Sequence, residues 1–240
     1  MHWTLGILPP SQAVFYASAF SRSDGVASSA PAPVTHTVGN SLQSNLKKGK
    51  LHLAKIDNVF KPIIGKPCWQ VQQGYGSFLT FEFGEPRLRI QEPRQASKQA
   101  SEKLRKRWAR RNIYVRGDWH LWIYICDWRI FLNNEELAND SSARKTIKNA
   151  LLEIDGQALI SITIKKSYVC IFEFDLGGRL EITPNYEDYE KDSDLWLLYE
   201  PSGYVFTLRA DGKYNYTPGD GSIEKAWKAL NISKSKVVVK

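Results

Sequence analysis

The chain has 240 residues, with 33 Lys and Arg against 25 Asp and Glu, a formal net charge of +8 and three cysteines. That length builds a substantial core in one large domain or two small ones without disulfide staples. No apolar run reaches the ~20 residues of a membrane-spanning helix, and an odd cysteine count with no CxxC pair argues against a disulfide or zinc framework. Cys68, Cys126 and Cys170 each sit in an apolar stretch. Buried reduced thiols are the expectation, which points to a reducing, cytoplasmic setting.

Residues 1–48 read as a disordered or leader segment. Leu5–Ala19 is apolar and ends in Ala17-Ser18-Ala19, resembling a signal-peptidase site, but Pro9-Pro10 interrupts the run and no Lys or Arg precedes it. From Ser21 to Ser44 the mixture of Ser, Ala, Pro, Thr, Val and Asn buries too little apolar surface to offset the entropy of ordering.

Beyond residue 48 the chain aligns with itself. Ile56–Phe83 falls without gaps on Ile147–Phe174, setting Gly65 on Gly156 and Phe81-Glu82-Phe83 on Phe172-Glu173-Phe174. Leu88-Arg89-Ile90 then meets Leu180-Glu181-Ile182, Leu121-Trp122 meets Leu195-Trp196, and Ile130-Phe131 meets Val205-Phe206. The common order of these matches predicts an α+β fold. Its plan is an internal duplication of a helix followed by a meander of about four to five antiparallel strands, with the copies, 49–140 and 141–217, related by a pseudo-twofold.

In the first copy, Ile56, Val59, Phe60 and Ile63 mark a helix face that Gly65 ends. Strands are expected at Cys68–Gln72, Phe78–Phe83, Leu88–Gln91, Trp119–Cys126 and Arg129–Leu132. Gly74-Tyr75-Gly76 stands between two of them with no helix after it, so it reads as a hairpin turn, not a phosphate loop. In the second copy Ala143, Ile147, Ala150, Leu151 and Ile154 form the helix face, with Asp140, Ser141 or Ser142 as cap and Gly156 as stop. Strands follow at Leu159–Ile164, Val169–Phe174, Arg179–Thr183, Leu195–Tyr199 and Tyr204–Leu208. Residues 218–240 are expected to add a short helix at Ser222–Asn231 and a frayed basic tail.

The first copy carries extra length between its third and fourth strands, at Arg94–Arg116. Nine Lys and Arg stand there against Glu102 alone, a surplus of +8 that equals the net charge of the whole chain. Ala96, Ala100, Leu104 and Trp108 recur every four residues, predicting a basic helical insertion with a narrow apolar stripe. Lys98, Lys103, Arg105, Lys106, Arg107, Arg110 and Arg111 are its candidate residues for nucleic acid or another polyanion, since the arginine excess suits phosphate forks. The equivalent place in the second copy, Asn185–Asp194, is acidic: Glu187, Asp188, Glu190, Asp192 and Asp194, with Tyr186 and Tyr189 between them. It lacks the glycine and terminal glutamate of an EF-hand loop.

Catalytic chemistry has thin support. His120 lies two residues from Asp118 on one strand face, an arrangement that orients a general base, with Glu82 as a further acid–base candidate. Against this, alternation between Phe81 and Phe83 turns Glu82 to solvent, and His2, His36 and His52 lie in or beside the leader, too few and too distant for a metal cluster. No catalytic, cofactor or metal residues are assigned. The leading expectation is a non-enzymatic binding protein that contacts nucleic acid or another polyanion through the insertion. The alternative is a protein–protein interaction module, or a homo-oligomer, that uses the basic 94–116 and acidic 185–194 segments. An enzyme built on Asp118 and His120 comes third.

Overall fold

A computed structural model of the protein describes residues 56–74, 76–97, 99–223, 226–230 and 236–238. The leader segment and Lys98 lie outside the described residues. Helix α1 (Ile56–Phe60) leads into β1 (Cys68–Gln73) and β2 (Leu79–Phe83). Then come β3 (Arg87–Gln91), α2 (Glu102–Trp108), β4 (Asn112–Arg116), β5 (Trp119–Ile123), β6 (Asp127–Leu132), β7 (Glu135–Asn139) and α3 (Arg144–Ile154). The second half supplies β8 (Leu159–Ile164), β9 (Cys170–Phe174), β10 (Gly178–Thr183), β11 (Asp194–Tyr199), β12 (Tyr204–Arg209) and β13 (Lys213–Pro218), followed by β14 (Lys228–Ala229) and β15 (Lys236–Val238).

These elements do not form the expected α+β duplication of a helix followed by a meander of about four to five antiparallel strands. The molecule is mostly β, with a seven-stranded sheet ordered β1-β2-β5-β11-β12-β13-β14, a six-stranded sheet ordered β15-β8-β9-β10-β6-β7, and a separate ribbon of β3 and β4. Every strand pair is antiparallel. Among its strands the chain changes between the two large sheets three times, from β5 to β6, from β10 to β11 and from β14 to β15, so strands from 49–140 and 141–217 share both large sheets. Local alternation marks strands, but it carries no information on which strand pairs with which.

The two large sheets face each other across one core. Trp196 and Phe81 of the first meet Phe172 and Phe174 of the second, and Phe60 of α1 sits edge-on to both Trp196 and Phe172 at 5.4 and 5.9 Å. Burying each such side chain stabilises the fold by about 2–3 kcal/mol. At the seam, Pro67 and Ala158 form an isolated bridge with reciprocal hydrogen bonds around it: Gly65 N donates to Leu159 O at 2.7 Å and Gly156 N to Cys68 O at 2.8 Å. Gly65 and Gly156 both take the left-handed backbone, φ +81° and +91°, that lets the chain leave each helix and turn into this seam.

Helix α3 buries Ile147, Ala150, Leu151 and Ile154 as its spacing requires, but Ala143 stands at its cap, and Ser142 Oγ is drawn off to accept from Asn139 N. Strand β7, missing from the sequence reading, is set by Asn133 and Asn134, both at positive φ in a two-residue turn that pairs Leu132 with Glu135. Among the described residues of Ser222–Asn231 there is no helix: β14 pairs with β13, and β15, in the tail expected to fray, pairs with β8.

Candidate nucleic-acid interface

The basic insertion is the tip of a long hairpin. Within the body, β2 and β5 pair from Leu79↔Ile123 to Phe83↔Trp119; beyond Gly84 and Gly117 the same two chain segments pair again as β3 and β4, from Arg87↔Arg116 to Gln91↔Asn112. The third strand of the first sheet is therefore β5, and β3 belongs to an arm that carries α2 at its end. A helix across all of 94–116 does not form, because Ile113, Tyr114 and Val115 are β-branched or aromatic and find partners in Leu88, Arg89 and Ile90.

Among the described residues of this segment only Glu102–Trp108 is helical. Ser101 Oγ accepts from Leu104 N at the start of α2, and Lys106 pairs with Glu102 one turn earlier at 2.7 Å. No residue of α2 is buried, so the proposed apolar stripe does not seat it on the body; instead Trp108 carries the Arg94 guanidinium 4.0 Å above its ring. Lys103, Arg105, Lys106, Arg107, Arg110 and Arg111 are all exposed. Arg111 is held by Glu92 at 2.9 Å, whereas Lys103, Arg107 and Arg110 make no ion pair among the described residues.

Alternation divides the ribbon. Arg87, Arg89, Gln91, Asn112, Tyr114 and Arg116 take one face; Leu88, Ile90, Ile113 and Val115 take the other, exposed at 72, 62, 62 and 37 %. The root of the arm is fixed at Glu82, which is not the solvent-facing residue that alternation predicts but is fully buried. Its Oε1 accepts from Arg116 Nη1 at 2.5 Å and from His120 Nδ1 at 2.9 Å, and its Oε2 accepts from Gly117 N at 3.0 Å. A Cβ on Gly117 would stand 2.4 Å from Phe83 O, so only glycine allows the returning chain this close. Glu173, its counterpart in the self-alignment, is exposed and accepts from Ser161 Oγ.

Burial alone pushes the Glu82 carboxyl upward, but the His120 hydrogen bond and the Arg116 charge outweigh it and hold the group below its ordinary range. For His120, burial dominates over the attraction of Glu82 and lowers the imidazole, which is therefore neutral and donates from Nδ1. Asp118 does not orient His120, contrary to the sequence reading: its carboxylate accepts from Glu85 N and from Arg87 Nε. A groove of about 440 Å³ between α1 and the β11–β12 turn is lined by Trp119, Tyr216 and Glu200 but not by His120, and its carboxylate is taken up by Tyr216 and Ser202 hydroxyls. Glu82, His120 and Arg116 tie β2 to β5 and to the end of β4.

Comparison with known proteins finds no matching family model, no similar curated protein and no similar solved structure. The arm and its root thus carry the functional argument on their own chemistry. The three cysteines are free and buried, with burial raising Cys68 and Cys170 to about 12, so they offer no thiolate. Among the described residues there is no group of His, Cys, Asp and Glu suited to a metal ion, and no helix long and apolar enough to cross a membrane.

Proposed function

We propose that the protein binds nucleic acid through the arm at residues 87–116, with Lys103, Arg107 and Arg110 of its tip on the phosphate backbone. The observation behind this reading is the position of these cations: exposed, without carboxylate partners among the described residues, on a projection that gives the core none of its buried side chains. In the body, by contrast, Arg209 is paired with Asp211. A two-stranded ribbon also fits the width of a major groove, while Arg guanidinium groups bridge phosphates in bidentate fashion. Buried reduced thiols suit work in the cytoplasm.

Binding of this kind is largely independent of sequence and weakens steeply with salt, by roughly one log–log slope unit per phosphate neutralised. Fluorescence anisotropy with a labelled duplex and a labelled single strand, at graded salt, measures the slope. Replacing Lys103→Gln, Arg107→Gln and Arg110→Gln together should flatten it by about three units. Failure of the unmodified protein to bind either DNA or RNA at low salt would end this reading and favour an acidic protein partner.

A further inference from the structure

The apolar face of the arm is not used by phosphate contacts and is exposed among the described residues. An isolated two-stranded ribbon is marginal in water, so Leu88, Ile90, Ile113 and Val115 ask for a partner that is apolar at its centre and anionic around it. The molecule presents such a surface elsewhere. In the loop before β11, Tyr186 and Tyr189 are exposed at 48 and 39 % amid Glu187, Asp188, Glu190 and Asp192. The loop is held in shape: Asn185 Oδ1 accepts from the backbone N–H of Glu187 and Asp188, and Tyr186 OH donates to Ala210 O.

Within one chain the two surfaces cannot meet. The arm leaves β5 at Trp119, whereas the loop enters β11 beside the other end of β5, where Tyr124 N donates to Leu195 O and Ile125 N to Asp194 O. Five strand residues, about 17 Å, separate these ends, and the ribbon extends the hairpin further away. We infer that the arm of one copy docks on the Tyr186–Asp192 loop of a second copy, joining molecules head to tail. Two different surfaces at opposite poles make this contact heterologous, so it propagates into a ring or an open chain and does not stop at a dimer. Two arms packed on each other would instead bring two strongly basic segments together, each with eleven Lys and Arg against two Glu.

Analytical ultracentrifugation of nuclease-treated full-length protein at low salt tests this. Weight-average mass should climb above the 27.4 kDa monomer with concentration and fall back as salt is added. Ile90→Ser with Ile113→Ser in one variant, and Glu187→Lys with Glu190→Lys in another, should each remain monomeric. These positions are exposed, and an unchanged thermal midpoint will show that both variants fold. Mixed, the two variants restore a single complementary contact and should form a one-to-one dimer and nothing larger. The inference is overturned by a wild type that stays monomeric throughout, by a loop variant that still self-associates, or by a mixture that yields no dimer. The nucleic-acid reading has a separate readout, because the Ile90→Ser, Ile113→Ser variant keeps every cation and should keep its salt slope.

Discussion

The hairpin from Leu79 to Ile123 is one continuous device with two unlike halves. In the body half, Phe81, Phe83, Leu121 and Ile123 are sealed in the core; past Gly117, Leu88 and Ile90 on the same pair of chain segments face solvent. Strand pairing is common to both halves, and packing exists in only one. The first half thus carries stability and the second is free to carry contacts, with Glu82, Arg116 and His120 at the border.

Glu82→Ala should produce the largest effect, since it removes the acceptor shared by Arg116, His120 and Gly117 N. Chemical denaturation should show a loss of about 3–5 kcal/mol, the range for a buried charge network losing one partner. A loss under about 1 kcal/mol would mean that the root does not couple the arm to the body.

Acid should act next, at the same place. His120 is buried with a lowered pKa, so the unfolded chain binds the proton more readily than the folded one. Stability contributed here is complete above the ordinary histidine value near 6.5 and declines as pH falls below it; Glu82, also lowered, adds a further loss below the ordinary carboxylate range. Denaturation midpoints measured from pH 7.5 to 5 should fall, and His120→Gln should flatten that part of the profile. A wild-type profile level through this window would contradict the neutral, buried imidazole.

The smallest effect belongs to the outer half. Leu88→Ser should shift unfolding free energy by less than about 0.5 kcal/mol in the monomer, because no packed contact is lost. A larger change would place the ribbon's apolar face against the body.

Much of this was legible in the residues, and the failures have specific causes. The helix faces at Ile56–Phe60 and Ile147–Ile154, and strands such as Cys170–Phe174, announced themselves by period. Charge on the arm was equally plain. Glu82 misled because the rule that Phe turns in and Glu turns out assumes one wet face, whereas Arg116 and the returning chain at Gly117 close over the second. Strand β4 was hidden because the arginines around Ile113-Tyr114-Val115 drew the reading toward a helix, although a β-branched, alternating triplet was there to be seen. Pairing between distant strands, such as β5 with β11, leaves no mark in local pattern, and the self-alignment put β3 in the place that β5 occupies.

The repeated change of sheet also bears on how the protein is made. As the chain leaves the ribosome, β1, β2 and β5 emerge early, yet β5 waits for β11 to pair Leu121 with Leu198 and Ile123 with Trp196. Likewise β6 waits for β10. Neither sheet can close until β10 and β11 have been synthesised, so the nascent first half, although β2 pairs with β5 and β6 with β7, must hold one edge of β5 and one of β6 open, a state prone to aggregation and suited to chaperone capture.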